Sequence, residues 1–223
     1  PVDFGIRRAT STDETDRIYI CNGTDGSMVV YSILASQDVI APSKFITDGE
    51  FINVAVEIDD AYTIVKRTVN SVVKYYLEKF DENITVDSAS TGGAASSVNM
   101  THLEGKEVSI IRDGVVEPVQ TVPASPYTIT FESAATSSYQ VGMNYTVEVK
   151  TMPAEPNLSS GSIQGLKKRI LQVDAIVYET QNMSINGQLV AFRNYGEGVL
   201  DQAVGEYTGL KTVHGLLGYS QTG

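Results

Sequence analysis

The strongest constraint on the fold is a pattern of short segments in which apolar and polar residues alternate, each followed by turn residues. In the most informative stretch, Thr101 to Gly114, the strand-like run Val108 to Ile111 leads into Asp113-Gly114. An Asp-Gly pair supplies the positive φ angles of a tight hairpin turn. From Tyr145 to Lys150, after Gly142, the residues alternate with a period of two, which is typical of a half-buried strand. The two stretches predict one small β module.

The first eighty or so residues contain a similar series of strands and turns. Five strand-like segments are separated by Gly, Asp or Asn turns: Arg17 to Cys21, Met28 to Leu34, Phe51 to Ile58, Tyr62 to Val69 and Val72 to Phe80. Regular spacing of this kind predicts meandering antiparallel sheets. Each small sheet leaves one face uncovered, so several must pack radially, as propeller blades do, or a single meander must pack on itself. The residues alone leave both arrangements open.

Composition divides the chain into three parts. Ser88 to Ser97 has no bulky apolar residue and two adjacent glycines, which predicts a mobile linker. We therefore expect a blade-like antiparallel region at residues 1–87, a small inserted β module at 88–152 and a C-terminal β segment at 153–223. Strands of the module are expected near these segments: Glu107 to Arg112, Val115 to Val122, Tyr127 to Glu132 and Tyr145 to Lys150. A module of this size buries little surface by itself, so we expect it to dock onto neighbours.

The C-terminal segment is expected to combine strands with an irregular end. Ile163 to Val177 has apolar residues at near-helical spacing, but its later half alternates, which favours a strand. Asn186-Gly187 predicts a hairpin turn between Met183 to Ile185 and Gln188 to Phe192. From Asn194 onward, repeated glycines predict an irregular chain.

Composition and charge exclude several classes of protein. The 223 residues are 42% hydrophobic and 19% charged, which is typical of a globular protein. The net charge of -11 opposes a nucleic-acid-binding surface over the whole molecule, since such surfaces need clustered Lys and Arg. No apolar run reaches the length of about 18 residues that a membrane span requires. The single cysteine, Cys21, lies in an apolar alternation and is expected to be buried.

No constellation of residues predicts a catalytic, cofactor-binding or metal-binding site. His102 and His214 are the only histidines, and neither has a His or Cys at zinc-ligand spacing. His102 is therefore expected to cap a turn or to pack beside Leu103. The acidic clusters at residues 13–16 and 59–60 lack the calcium-loop pattern and are expected to be solvated turns.

Three separated motifs carry a resemblance to a known family. The first is His-Leu-Glu-Gly-Lys-x-Val from His102, then Asp-Gly-x-Val from Asp113, then Val-Gly-x-x-Tyr-Thr-x-x-x-Lys-Thr-x-Pro from Val141. The other two lie on either side of it: Phe45 to Phe51 with Val65 to Thr68 upstream, and Gln164 to Ile170 downstream. Together, over roughly residues 16–223, they resemble tail tubular or nozzle proteins of short-tailed bacteriophages.

The resemblance implies an all-β fold with propeller-type blades, an inserted small β-barrel or sandwich, and a C-terminal segment that completes the first region and continues beyond Gly223. It implies a structural virion component without catalysis, made in the bacterial cytoplasm and located in the phage tail. The expected partners are copies of the same chain in a ring, six by the resemblance, and other tail proteins. DNA would pass through the channel without sequence-specific binding, and flexible loops at Ser88 to Ser97 or Tyr195 to Gly209 would contact neighbours or constrict the lumen.

Two alternatives belong to other functional classes. A receptor- or glycan-binding tail accessory module would present a shallow groove lined by exposed tyrosines. A tail-associated depolymerase would need two carboxylates facing each other in a cleft, and the sequence singles out no such pair. The basic run Lys167 to Arg169 would contact an acidic neighbour or DNA, or serve only as a solvated strand start.

Overall fold

The computed structural model describes residues 1–152, 167, 169–193 and 204–215. Within these residues the secondary structure is β-strand, with short 3-10 turns at Ala35–Gln37 and Thr101–Leu103. Every strand pair among them is antiparallel, which confirms the all-β, antiparallel prediction. The chain forms two compact units, Pro1–Thr146 and Val147–Gly223, which are described separately below.

The first unit begins with two meandering sheets. Sheet A has the order β1-β2-β3-β4, and its strands are β1 (Asp3–Arg7), β2 (Asp16–Cys21), β3 (Met28–Leu34) and β4 (Val39–Phe45). Sheet B has the order β5-β6-β7, and its strands are β5 (Glu50–Glu57), β6 (Asp60–Val69) and β7 (Val72–Lys79). The predicted turn at Asn70-Ser71 is confirmed, because both residues have positive φ angles, 49° and 64°.

Sheets A and B pack face to face around one apolar core. The buried side chains that form it come from both sheets: Tyr19, Cys21, Met28, Val30, Phe51, Val54, Ala61 and Val65. Phe80, just after β7, stacks on the Tyr19 ring with a centroid distance of 5.6 Å. The two sheets come closest along β1 and β5, where the Asp3 carboxylate accepts a 3.0 Å hydrogen bond from the Val54 amide. Sequence alternation therefore produces a two-layer sandwich with one buried face per sheet.

The rest of the first unit is a small β module with its own core. Its strands are β8 (Asp87–Gly92), β9 (Ala95–Asn99), β10 (Glu107–Arg112), β11 (Val115–Thr121), β12 (Thr128–Ala135) and β13 (Tyr139–Met143). Sheet C has the order β11-β10-β13-β8, and sheet D pairs β12 with β9. Core side chains from both sheets include Leu103, Val108, Ile110, Ile129 and Val141. The predicted Asp113-Gly114 hairpin turn is confirmed, with φ angles of 50° and 78°.

The predicted mobile linker at Ser88 to Ser97 is wrong. Most of it lies in β8 and β9, and β8 pairs with β13 in sheet C. Gly92 lies against the Tyr139 ring, and a Cβ at this position would lie 2.6 Å from the Tyr139 hydroxyl oxygen. A strand of small residues at a sheet edge thus has the composition of a linker but not its structure. The boundary predicted between residues 87 and 88 falls at the start of β8, inside the first unit.

The strand predicted at Tyr145 to Lys150 is also wrong. The pairing strand is β13, which ends at Met143, and residues 144–152 are not in a strand. Val147 and Val149 alternate with polar residues but are exposed. Alternation creates a strand only where a neighbouring strand supplies backbone partners, and none of the described residues does so here.

The second unit contains a long two-stranded ribbon and a short hairpin. Strand β14 (Gln172–Thr180) pairs with β17 (Tyr207–His214), and β15 (Ser184–Ile185) pairs with β16 (Gln188–Leu189). The strand predicted in the later half of Ile163 to Val177 is confirmed from Gln172 onward, and residues 163–166 lie outside the described part. The Asn186-Gly187 turn is confirmed by φ angles of 49° and 79°.

The irregular chain predicted after Asn194 is wrong for its later part. Residues 194–203, with most of the predicted Tyr195 to Gly209 loop, lie outside the described residues, but 207–214 form β17. Gly209 pairs with Val177 in the ribbon and has a φ of 146°, so it serves as a strand glycine rather than a loop residue. The closed propeller or barrel remains a prediction, because none of the described sheets closes on itself.

Candidate functional site

The histidines and acidic clusters weighed from the sequence have the following places in the structure. Within the described residues no three His, Cys, Asp or Glu side chains gather as a metal site. His102 lies in the first unit and His214 at the end of β17 in the second. Of the acidic clusters, Glu14 pairs with Arg7 and Asp60 pairs with Lys79, so these carboxylates are engaged in ion pairs. None of the described residues belongs to a helix long and apolar enough to cross a membrane.

Cys21 is a buried core residue, as predicted. Its side chain is fully enclosed between sheets A and B and forms no disulfide. Burial, with a smaller contribution from the nearby Asp3 carboxylate, raises the pKa of the Cys21 thiol to about 11. The thiolate is the reactive form of cysteine, so this site is built for packing and not for chemistry.

The most elaborate polar site is a junction centred on Arg67, where sheet B meets the small β module. The Arg67 side chain lies on β6, and only 1% of it is exposed. Its Nη2 donates to both carboxylate oxygens of Glu78 on β7, at 2.9 and 2.8 Å. The same nitrogen lies 3.4 Å from a carboxylate oxygen of Asp87, the first residue of the module. One guanidinium thus binds a strand of its own sheet and the chain that enters the module.

Further hydrogen bonds complete the Arg67 junction. Nη1 of Arg67 donates to the Thr47 hydroxyl and to the Asp48 carbonyl, both in the turn between β4 and β5. The Thr47 hydroxyl donates in turn to Asp87. Ser88 donates its hydroxyl to the Glu78 carboxylate at 2.9 Å. A buried charge is tolerated only when it is paired and hydrogen-bonded, and sheet B, a turn and the module together supply partners for Nη1 and Nη2 of Arg67. The buried Nε of Arg67 has no hydrogen-bond partner among the described residues.

A second group of contacts extends the Arg67 junction between sheet B and the small β module. His102, in the 3-10 turn of the module, donates from Nε2 to the Ser88 carbonyl at 2.9 Å, and its ring meets the Tyr76 ring edge-on. The expected packing role of His102 therefore includes a contact with β8. Lys106 pairs with Asp48, while an Asn70 amide donates to Glu104 at 3.2 Å. The motif residues from His102 to Lys106 thus lie at the docking surface of the module.

The resemblance motif around Asp113 has a separate structural role. The Asp113 carboxylate, in the turn between β10 and β11, accepts hydrogen bonds from the amides of Thr136, Ser137 and Ser138. The hydroxyls of Thr136 and Ser137 donate to it as well. These bonds, those from the Ser138 and Thr136 amides first, hold the pKa of Asp113 far below its usual range. The carboxylate therefore fixes the loop between β12 and β13 to the β10–β11 turn.

Two uncovered apolar sheet faces are the other notable feature of the first unit. Surface A is the face of sheet A turned away from sheet B, and its members alternate with the core residues: Phe4, Ile6, Ile18, Ile20, Val29, Tyr31, Ile33, Ile40 and Pro42. Phe4 and Ile40 are 64% and 66% exposed. A contiguous apolar face of this kind is typical of an interaction surface.

Surface B is the corresponding outer face of sheet B. Its apolar members, from all three strands, are Ala55, Tyr62, Ile64, Val73, Tyr75 and Leu77. Tyr75 and Leu77 are 64% and 74% exposed. Because the inner faces of sheets A and B pack on each other, surfaces A and B lie on opposite sides of the sandwich.

Four strand tyrosines of the first unit do not line one groove of the kind that a glycan-binding module would need. Tyr19 is buried in the core, Tyr31 belongs to surface A, and Tyr62 and Tyr75 belong to surface B. An open depression beside the Arg67 junction is lined by polar residues such as Asn70, and no tyrosine of the described residues contributes to it. These four tyrosines are therefore divided between the core and the two outer faces.

The sequence analysis included Arg67 in the Val65 to Thr68 motif, but it predicted neither the role of Arg67 nor its partners. Arg67 follows Val65 and Lys66 in a stretch that resembles a solvated strand end, and the carboxylates it binds lie 11 and 20 residues away. The only signal of its burial is its position in β6, where residues that face the core alternate with residues that face outward. Surfaces A and B, in contrast, follow from the continuous apolar character of the strands. No protein-family model matches the chain, and a search of curated protein sequences gives no match either.

Proposed function

We propose that the chain is a structural, non-enzymatic component of a phage tail, part of a tube or nozzle wall around the channel through which DNA leaves the particle. One observation carries the proposal: the sandwich of sheets A and B has an apolar face on each of its two sides. A protein that acts alone in water keeps such faces small or covers them. A subunit of an assembly uses apolar faces of this kind to contact its neighbours.

The approach of β1 to β5 supports a blade-like arrangement. A Cβ on Gly5 would lie 3.2 Å from a Val56 methyl group, so the innermost strands of the two sheets touch at a residue without a side chain. In a propeller, the first strand of each blade lies beside the first strand of the next, near a common axis. Sheets A and B resemble two consecutive blades in this respect.

The Arg67 junction supports a mechanical role. A wall that resists the pressure of passing DNA needs its appended domains held firmly, and the small module is joined to sheet B by the pair between the buried Arg67 and Asp87. Broken buried pairs are costly, so such a junction favours one fixed arrangement of its parts. The net charge of -11 supports a channel that DNA crosses without adhering, since like charges repel.

The first of the motifs that resemble tail tubular or nozzle proteins lies among the described residues, whereas the third, Gln164 to Ile170, lies largely outside them. In the first motif, His102 to Lys106 lies where the module contacts sheet B, Asp113 and Gly114 form the β10–β11 turn, and Gly142 lies in β13. Residues that build a fold recur with it, so these roles support common architecture. We propose accordingly that copies of the chain form a ring and that other tail proteins adjoin it in the virion.

The test is immunogold electron microscopy on particles of the phage that encodes the chain, with antibodies raised against the purified protein. We expect label on the tail and not on the capsid. Particles that carry no label, and whose tryptic peptides include none from this chain, would overturn the proposal. A matched control uses antibodies absorbed with the purified protein, which must lose the tail label.

A further inference from the structure

We propose that Asn186 is a site of spontaneous deamidation in the folded protein, and that the fold protects the other Asn-Gly pair of the chain, Asn22-Gly23, from the same reaction. The inference does not depend on the proposed function. It assigns a covalent modification to the hairpin between β15 and β16, with water as the only co-reactant. Both pairs place glycine directly after asparagine, so the difference between them comes from the structure.

The reaction uses the backbone nitrogen of the following residue. The amide nitrogen of Gly187 gives up its proton and attacks Cγ of Asn186, the bond from Cγ to the side-chain nitrogen breaks, and ammonia leaves with that proton. A five-membered succinimide ring remains. Water adds to one of its two carbonyl groups, and the ring opens either to aspartate or to isoaspartate, in which the chain continues through the side chain. Glycine favours the attack because it has no Cβ to obstruct it.

Asn186 and Gly187 lie at the open tip of the β15–β16 hairpin. Both residues are exposed, and a Cβ on Gly187 would meet no atom within 4 Å. None of the described residues forms a hydrogen bond with the side-chain amide of Asn186. Few contacts hold the hairpin itself: the pairs of Ser184 with Leu189 and Ile185 with Gln188, and the bond from the Val190 amide to the Met183 carbonyl at 3.0 Å.

The turn must open before the Gly187 nitrogen can reach Cγ, because the closed turn fixes the backbone of Asn186 at a φ of 49°. Among the described strands, β15 and β16 pair only with each other. A two-stranded hairpin of this length is only marginally stable in water, so its turn opens locally while the rest of the chain stays folded. The reaction at Asn186 therefore proceeds in the folded protein.

The side chain of Asn22, between β2 and β3, is held at both ends of its amide. Nδ2 donates to the Asp25 carboxylate at 2.7 Å, and Oδ1 accepts a hydrogen bond from the Thr24 amide at 3.2 Å. The backbone of Asn22 is also paired, with the Ser27 carbonyl at 2.8 Å and the Gly26 amide at 3.0 Å. The side chain cannot turn toward the next amide without losing its carboxylate partner. One hydrogen bond to a charged group is sufficient to slow a reaction at least about tenfold.

The two products affect the hairpin differently. Aspartate keeps the turn, because Asp113 and Gly114 form such a turn elsewhere in the chain with φ angles of 50° and 78°, close to the 49° and 79° of Asn186 and Gly187. Isoaspartate adds a methylene carbon to the backbone of a two-residue turn, which disturbs the register of the strand pairs that the turn sets. Either product adds a negative charge at neutral pH.

The experiment incubates the full 223-residue chain at mildly alkaline pH, both folded and in urea, and follows the two sites over time. Mass spectrometry of tryptic peptides detects the replacement of NH2 by OH, and fragmentation assigns it to one residue. An isoaspartyl methyltransferase with a labelled methyl donor measures isoaspartate. Circular dichroism establishes that the sample without urea stays folded. The control variant is Asn186→Gln, whose longer side chain would have to close a six-membered ring and reacts much more slowly.

The expected result is a preference that the fold creates. In the folded chain Asn186 converts at least about tenfold faster than Asn22, whereas in urea the two sites convert at similar rates. Asn186→Gln removes most of the isoaspartate that the folded chain forms.

Three results would overturn the inference. Equal conversion of Asn186 and Asn22 in the folded chain would show that the hydrogen bonds of Asn22 do not protect it. Conversion of Asn186 only in urea would show that the hairpin stays closed. A tenfold preference that persists in urea would assign the difference to the flanking sequence and not to the fold. The proposed function is unaffected by any of these results, because the gold label tests it independently.

Discussion

Arg67 on β6 reaches along sheet B to Glu78 on β7, four residues beyond its register partner Lys74, and one guanidinium nitrogen donates to both oxygens of the carboxylate at 2.9 and 2.8 Å. The pair is central because Asp87 and Ser88 of the module bind the same two side chains. These two charged side chains therefore link sheet B to the small β module. Replacing them tests how much this link contributes to the free energy of unfolding.

Replacing Arg67 with Ala should lower the free energy of unfolding by about 1.5–3 kcal/mol, because it removes the cation shared by the partly exposed carboxylates of Glu78 and Asp87. Urea unfolding, followed by tyrosine fluorescence, measures the change in the free energy of unfolding. The matched control is Lys66→Ala, the adjacent residue, whose pair with Glu50 is largely solvated and contributes less than about 1 kcal/mol. Equal losses for the two variants would contradict the assignment of Arg67 as the centre of the junction.

Asp113→Asn should flatten the acid dependence of stability. The pKa of Asp113 is lowered in the folded protein, so its contribution is complete above about pH 5 and is lost as the pH falls from the unfolded value near 3.9 toward the folded one. Unfolding in urea between about pH 5 and 2.5 should show a smaller loss of stability in the variant than in the original chain. Asp59→Asn, in the β5–β6 turn, is the control, and an equal flattening there would refute the role of Asp113.

Gly142→Ala should destabilise the small β module strongly. The added Cβ would lie 2.5 Å from the Asp87 carbonyl oxygen, and backbone cannot yield there without loss of pairing between β13 and β8. We expect a cost of about 2 kcal/mol or more, in the range of overpacked cores. In Gly93→Ala the nearest atom is 3.7 Å away, so this control should change stability by less than about 1 kcal/mol. Thermal unfolding followed by circular dichroism compares them.

Cys21 should react with a thiol reagent only after unfolding. Its side chain is enclosed, and the raised pKa of about 11 keeps the thiol protonated at neutral pH. At pH 8 we expect labelling of the folded chain to be at least about 100-fold slower than labelling in urea. Rapid labelling in the absence of denaturant would contradict the packing of sheets A and B around this residue.

Local signals account for the elements that sequence predicted well. Asp113-Gly114 and Asn186-Gly187 form the expected turns because the φ angles they need are a property of those two residues alone. The strands at Met28–Leu34 and Glu107–Arg112 were predicted with the same bounds that the structure has, because each is a short apolar-rich run with turn residues at its ends. Information contained within a few neighbouring residues was sufficient.

Features that depend on distant partners escaped prediction. Strand β4 contains Pro42 and lies at a sheet edge, where proline is tolerated but weakens the sequence pattern. Strand β8 consists of small residues, and it is a strand only because it pairs with β13. The same limitation hid the junction, since a basic residue in a strand becomes a buried centre only when carboxylates from elsewhere in the chain reach it.

The pairing of Met143 with Asp87 holds the two ends of the small module side by side. The chain enters the module at Asp87 and leaves it after Met143, and antiparallel neighbours lie about 5 Å apart. The whole module is therefore an insertion between two residues that lie next to each other. Another domain with adjacent ends could therefore take the place of the module, provided that it also supplied a carboxylate for Arg67.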